Sequence, residues 1–166
     1  MILRYARPGD EFGMADIHIE GWRVAYHGIY APDFLDGSAH EEKADIWAQR
    51  IAAETPHNAQ LVFDNDGIIG FISLVDHHAT EERSTEGRIH AFYVHLDYHR
   101  KGIAEQLMNA ATGWFKANGY KAVFVQTLKR SKHFFEKDHA ITQTDTIEIT
   151  LNNKRTVEVH EYRWEL

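Results

Sequence analysis

Cysteine is absent from the 166-residue chain, and no apolar run approaches the length of a membrane-spanning helix. The first absence excludes disulfides, thiolate zinc sites and a cysteine nucleophile. The second excludes a membrane helix, which needs roughly 20 mainly apolar residues. The N-terminal stretch MILRYARPGDEF also lacks the apolar segment of a signal peptide. The sequence therefore predicts a cytoplasmic protein with no membrane partner.

Apolar residues are plentiful, at 43% hydrophobic and 12% aromatic. A chain of this length and composition can bury a substantial core. Neither a linker nor an internal repeat interrupts it. We therefore expect a single domain that spans residues 1–166.

Charge is unevenly distributed along the chain. The net charge is −7, yet residues 99–137 carry a local balance of +6 and the remainder carries −13. An acidic protein is a poor general binder of nucleic acid, so no nucleic-acid partner is expected. The basic segment suits a small polyanion, and solvated helix faces are the alternative interpretation.

The first half of the chain alternates between helix and strand signals. MILRYA is typical of a strand, and the next apolar periodicity predicts a helix that buries Phe12, Ala15, Ile19 and Trp22. A second helix is expected over residues 41–54. Two apolar runs then flank Asn65-Asp66-Gly67, which predicts a β-hairpin because Gly67 can adopt positive φ.

The second half contains a β-α-β unit. It consists of the strand RIHAFYV, a helix over Ile103–Ala117 that ends at Asn118-Gly119, and the strand KAVFVQT. The crossover predicts that the two strands are parallel. A short helix over residues 131–137 and a terminal hairpin follow.

The junction between that first strand and the helix, YVHLDYHRKGIAEQLM, has the features of an anion site. The first turn of a helix has backbone N–H groups without intrahelical partners, and the helix dipole adds partial positive charge. Gly102 permits close approach to the backbone, while Arg100 and Lys101 add full charges. The spacing is neither that of a Walker loop nor that of a dinucleotide fingerprint.

This stretch resembles the GNAT superfamily of acyl-CoA-dependent N-acyltransferases. AFYVHLDYHRKGIAEQLM is similar to the family's strand and [QR]-x-x-G-x-[GA] loop, with residues 99–104 in the loop positions. Downstream, SKHFFEKDHA resembles the A-x-x-F-Y-E-K-x-G-F segment, and IEGWRVAYHGIY resembles a common first helix. The resemblance covers nearly the whole chain.

The resemblance implies an α/β (α+β) fold: a mixed, mostly antiparallel central sheet with splayed parallel strands and helices on both faces. It also implies acetyl-CoA as co-substrate, held between the splayed strands; separately, the absence of an HExxH motif predicts no metal. The implied cofactor-binding residues are Phe92, Tyr93, Val94, His99, Arg100, Lys101, Gly102, Ile103, Ala104, Glu105, Ser131 and Phe135.

Two departures from the family pattern concern catalysis. Phe135 stands where many members have a tyrosine that protonates the departing thiolate, and Arg88 stands at a position often occupied by glutamate. Losing the amine proton is the harder step, since a lysine-like amine with pKa about 10.4 is neutral in roughly one molecule in 2,500 at pH 7. His90 is the first candidate base, because an unperturbed histidine with pKa near 6.5 would make the rate rise near pH 6 to 7, and Glu86 is the second. A structural role for His90 is the alternative.

Trp22, Tyr26 and Tyr30 are candidates for an aromatic wall at the acceptor site, although helical spacing is equally typical of core packing. His77-His78 and Glu81-Glu82 lack the spacing of a metal site. We therefore expect an N-acetyltransferase that moves an acetyl group to a primary amine of a small molecule or peptide by direct attack. A catalytically idle acyl-CoA-binding or sensor module is the alternative. The resemblance also allows a homodimer.

Overall fold

The computed structural model of the chain describes residues 1–27, 37–53, 57–76, 85–139, 141–151 and 154–166. Within these ranges seven strands form one sheet, and three helices pack against it. The strands are β1 Ile2–Tyr5, β2 Asn58–Asp64, β3 Ile68–Asp76, β4 Glu86–Val94, β5 Ala122–Thr127, β6 Gln143–Thr150 and β7 Thr156–Glu165. The helices are α1 Glu11–Ala25, α2 Gly37–Ala52 and α3 Ile103–Ala117.

The sheet has the strand order β1-β2-β3-β4-β5-β7-β6. Neighbours in it are antiparallel except β4 and β5, which are parallel because α3 crosses over between them. The expected mixed, mostly antiparallel sheet is confirmed.

Helices cover both faces of the sheet, as predicted. One core cluster joins α3 to the strands through Ile103, Leu107 and Phe115. The other joins α1 and α2 to the opposite face through Met14, Trp47 and Phe71. The amphipathic stripe of each helix therefore determines which face it buries.

A β-bulge in β4 changes which side chains face which helices. Ser73 of β3 is paired with Ala91 and Leu74 with Ile89, so His90 is the extra residue. Before the bulge Ile89 belongs to the core cluster under α3, whereas after it Ala91 belongs to the cluster under α1 and α2. The extra residue thus reverses the alternation of β4 at the centre of the sheet.

The two parallel strands diverge beyond the bulge. Their pairing runs from Glu86 with Ala122 to Ile89 with Val125, and β4 then continues to Val94 without a partner on β5. A gap therefore opens in the middle of the sheet, between the ends of β4 and β5.

Several details were predicted from the sequence and one was not. The hairpin turn has Asp66 at φ 56° and Gly67 at φ 148°, and α3 has the predicted bounds. The expected short helix consists of a 3-10 turn over Lys129–Ser131 and a π-helical turn over Phe134–Asp138. Phe12, expected in the core, is 59% exposed.

Candidate active site

The loop before α3 presents backbone donors to the gap between β4 and β5. Arg100 and Gly102 have positive φ, 60° and 76°, which turns the chain sharply into the helix. Across residues 100–105 no described group accepts a hydrogen bond from a backbone N–H, and Gln106 is the first to donate, to Gly102. A Cβ on Gly102 would meet only the Gln106 amide nitrogen, at 3.9 Å. The loop is therefore open, with six adjacent free donors, and suits an anion.

Two adjoining cavities extend from this loop into the sheet. A cavity of about 710 Å³ lies against the start of α3, and one of about 280 Å³ lies between α1, β4 and β5. They share the walls Phe92, Val94, His99, Ser131 and Phe135. Because these walls are common to both, the cavities form one cleft, which runs from the anion loop to His90.

Eleven of the twelve cofactor-binding residues expected from the sequence line this cleft. The exception is Lys101, whose ammonium lies over the Tyr98 ring at 4.7 Å. The His99 ring crosses the cleft, and its Nε2 donates to the Val94 carbonyl at 2.9 Å. Ser131 is fixed by the Thr127 hydroxyl at 3.0 Å. Phe135 is only 2% exposed and is stacked on Tyr162.

His90 lies at the end of the cleft away from the anion loop, and its side chain is partly open to solvent. Its Nε2 is 3.1 Å from Nη2 of Arg50, on α2. Arginine can only donate, so Nε2 accepts and the ring proton is on Nδ1. Desolvation, followed by the charges of Arg50, Arg88 and Lys43, lowers the pKa of His90 to about 4. The ring is therefore neutral at pH 7, and the expectation of a pKa near 6.5 is corrected, first by desolvation and then by the surrounding cations.

Glu86, the second candidate base, is engaged elsewhere. Its Oε1 accepts from Nε and Nη2 of Arg163, on β7, at 3.1 and 2.9 Å. The carboxyl group is buried and lines neither cavity. The structure brings His90 and the cleft together, whereas Glu86 belongs to an ion pair between β4 and β7.

The three aromatic candidates for the acceptor wall have different positions. Tyr26 lines the inner cavity, Trp22 donates from Nε1 to the Tyr93 hydroxyl at 3.0 Å, and Tyr30 lies outside the described residues. Burial raises the pKa of Tyr93, so its phenol is protonated. The wall of the cleft is therefore formed by Tyr26 and Tyr93, with Trp22 supporting Tyr93.

Behind Tyr93 lies a buried histidine that the sequence did not single out. The His18 ring is stacked on Tyr93, with centroids 4.7 Å apart, and contacts Trp22 and Trp47. Burial, followed by the charges of Lys43 and His90, lowers the pKa of His18 to about 3. His18 thus packs as a neutral aromatic ring.

Sequence reasoning also missed Arg50 and Gln126, and gave Arg88 no binding role. Arg50 is forty positions from His90 and on another element, so no local motif connects them. The sequence feature that could have pointed to a cationic site is Arg88, which stands where the family often has a glutamate. Arg50 and Arg88, together with Lys43, make the surroundings of His90 cationic.

The described residues contain neither a metal centre nor a membrane span. Across the described ranges no three histidine or acidic side chains converge as metal ligands, and His77, His78, Glu81 and Glu82 lie outside those ranges. The helices in the same ranges are too short or too polar to cross a bilayer.

Comparisons with known proteins agree with this geometry. The model of the acetyltransferase (GNAT) family matches residues 19–140. The uncharacterized N-acetyltransferase YuaI of Bacillus subtilis (strain 168) is 24% identical over 130 residues, which cover 78% of this chain and 72% of YuaI.

Two solved structures share the fold. The putative acetyltransferase yncA of Salmonella typhimurium, solved with acetyl-CoA, is 15% identical with a TM-score of 0.74 and covers 100% of this chain and 94% of its own. The PaiA N-acetyltransferase of Thermoplasma acidophilum, in complex with coenzyme A, is 16% identical with a TM-score of 0.70 and covers 98% of each chain.

Proposed function

The chain belongs to the GNAT family of acyl-CoA-dependent acetyltransferases, and we propose that it acetylates a primary amine of a small molecule or peptide by direct attack. The observation that carries this proposal is the continuous cleft, with an anion loop at one end and a neutral histidine at the other. We further propose a single domain over residues 1–166 that acts in the cytoplasm, either alone or as a homodimer.

The cleft fits acetyl-CoA as co-substrate, which supplies an acetyl group activated as a thioester. The N–H groups of residues 100–105, which have no partner among the described residues, would hold the pyrophosphate. The space beside Gly102 is open, so an anion can approach the backbone there. Phe92, Val94 and Phe135 would flank the pantetheine arm, because they line both cavities. Arg100 adds a full positive charge at the anionic end.

His90 accepts the amine proton in this proposal. Its pKa of about 4 is roughly six pKa units below that of a lysine-like amine, so it cannot deprotonate a free ammonium group efficiently. Instead the cationic surroundings of Arg50, Arg88 and Lys43 favour entry of the neutral amine. His90 then takes the proton as the attacking nitrogen becomes more acidic.

The test combines turnover with cofactor binding. Thiol release from acetyl-CoA should require an amine, and His90→Ala should lower kcat by more than about tenfold. Acetyl-CoA at 100 times its Kd should stabilise the parent and this variant alike, by about 2.7 kcal/mol. His40→Ala, which removes a histidine paired with Asp16 between α1 and α2, should retain parental turnover.

The second candidate function is an idle acyl-CoA-binding or sensor module, favoured by the apolar Phe135 in the cleft. It predicts stabilisation by acetyl-CoA without thiol release for any amine. That result would contradict the transferase proposal. An unchanged melting temperature at millimolar CoA would contradict both.

A further inference from the structure

Among the described residues, Arg50 and Arg88, two half-buried arginines beside His90, lack the carboxylate partners that the other half-buried arginines have. Arg4 contacts the carboxylates of Asp10 and Asp64, and Arg163 contacts those of Glu86 and Glu165. Arg50 and Arg88 contact no carboxylate in the described part of the chain. A desolvated guanidinium without a counter-charge is unfavourable, so this pair is an exception that calls for an anion.

Arg50 and Arg88 are held in place by neutral groups. Arg50 lies over the Trp47 ring at 5.9 Å, and Arg88 lies over the Phe124 ring at 5.6 Å. Arg50 contacts His90, and Arg88 precedes His90 by two residues on β4, so both arginines neighbour the same histidine. Burial, followed by the charge of Arg88, lowers the pKa of Arg50. These contacts with aromatic rings place each guanidinium group without providing a counter-charge.

Arg50 and Arg88 lie beside the end of the cleft, in contact with His90 and Gln126, which line it. The buried Nε of Arg88 has no hydrogen-bond partner among the described residues, and its Nη2 makes only a 3.5 Å contact with Gln126 Oε1. Gln126 lines the inner cavity, and Glu161 fixes its amide by accepting from Nε2 at 3.0 Å. An unsatisfied buried donor is costly, and a ligand oxygen would relieve it.

We propose that Arg50 and Arg88 form a subsite for the carboxylate of the acceptor, which is therefore a free amino acid rather than a simple amine. The proposal rests on the proposed function and specifies its acceptor. Because Arg50 is 3.1 Å from His90, the acceptor amine and its carboxylate must be close together. An α- or β-amino acid satisfies this spacing, whereas a peptide whose first residue is not acidic has no carboxylate beside its N-terminal amine.

The subsite also explains how His90 becomes available. In the structure the Nε2 lone pair of His90 is occupied by an Arg50 N–H. A carboxylate is a stronger acceptor than a neutral imidazole, so it draws that donor away. The freed Nε2 then faces the amine. Binding of the correct acceptor thus exposes the base that the reaction needs.

The test compares amino acids with their amides. Glycine, L-alanine, L-leucine, L-methionine and L-phenylalanine are assayed for thiol release beside the C-terminal amide of each. The parent should prefer at least one acid over its amide by tenfold or more in kcat/KM. The carboxylate raises the pKa of the adjacent amine, so intrinsic reactivity favours the amide and opposes this result.

Variants Arg50→Gln and Arg88→Gln should each reduce that preference by about 10- to 100-fold, the range for a lost hydrogen bond to a charged group. The readout is the kcat/KM of the amino acid divided by the kcat/KM of its amide. This ratio is unaffected by changes in steps that both acceptors share. Arg7→Gln, at an exposed position near β1, is the matched control and should keep the parental ratio. Stabilisation by acetyl-CoA verifies that each variant is folded.

A second readout does not require turnover. With CoA present, the preferred amino acid should raise the melting temperature of the parent further, and its amide should not. Both arginine variants should lose this additional shift.

Equal kcat/KM for acids and amides, or a preference that persists in both variants, overturns the subsite but leaves acetyl transfer intact. Absence of thiol release with retention of the carboxylate-dependent shift overturns the transferase and supports the subsite. Absence of both thiol release and the carboxylate-dependent shift overturns both the transferase proposal and the subsite.

Discussion

Replacement of His18 by a residue that does not titrate should remove a defined part of the pH dependence of stability. His18 is 9% exposed and its pKa in the folded protein is about 3, against about 6.5 for an unfolded histidine. The folded state therefore favours the neutral ring. Below pH 6.5 the unfolded state binds a proton that the folded state does not, so stability falls as the pH falls towards 3.

The expected magnitude follows from the proton linkage. Between pH 7 and pH 5 an unfolded pKa of 6.5 gives a loss of about 1.9 kcal/mol in the free energy of unfolding. The result hardly depends on the folded pKa, provided that this stays below about 4. For a chain of this length the loss corresponds to roughly 4 to 8 °C in Tm.

The assay is urea unfolding of the parent, His18→Leu and His18→Gln at pH 7 and pH 5. The two variants differ in packing and polarity, so their stabilities at pH 7 will differ. Their losses between pH 7 and pH 5 should nevertheless agree, and both should be smaller than the parental loss by about 2 kcal/mol. The eleven other histidines are common to all three proteins and cancel. If both variants lose as much stability as the parent, His18 is not held neutral by burial.

Three further substitutions test the anion loop, the packing of α1 and the acid position. Gly102→Glu should abolish the thermal shift with CoA, whereas Gly102→Ala, which costs about 1 kcal/mol at positive φ, should retain it; equal binding by both contradicts the pyrophosphate assignment. Gly21→Ala places a Cβ 2.5 Å from the half-buried Tyr93 ring and should destabilise by about 1–3 kcal/mol in urea unfolding, while Gly113→Ala, with open space around it, should not destabilise. Phe135→Tyr should change kcat by less than about tenfold, since the thiolate is an adequate leaving group; a larger gain would show that its departure limits turnover.

The elements that the sequence predicted well have local causes. The bounds of α3 follow from Gly102 before it and Asn118-Gly119 after it, and the β2–β3 turn follows from Asp66-Gly67. Local conformational preference is enough to determine such features. The anion loop belongs to the same class, because its glycine and its charges are adjacent in the chain.

The features that the sequence did not predict have causes distant along the chain. The bulge at His90 depends on the register of β3, and the Arg50 contact depends on the packing of α2. Phe12 is exposed because the buried stripe of α1 begins at Met14; it includes the expected Ala15 and Ile19 but does not extend back to residue 12. The lowered pKa of His90 has the same origin, since its largest causes are burial and a charge from another element.

The divergence of β4 from β5 after Ile89 leaves main-chain groups of residues 90–94 without a partner on β5. Every residue type except proline offers the same main-chain donor and acceptor, so substitution there changes packing but not the hydrogen-bonding pattern. The surroundings of His90 are instead built from side chains of α2, β4 and β5. Over evolutionary time the two ends of the cleft can therefore change at different rates. Single substitutions at Arg50 or Arg88 would redirect the choice of acceptor while the acyl donor stays the same.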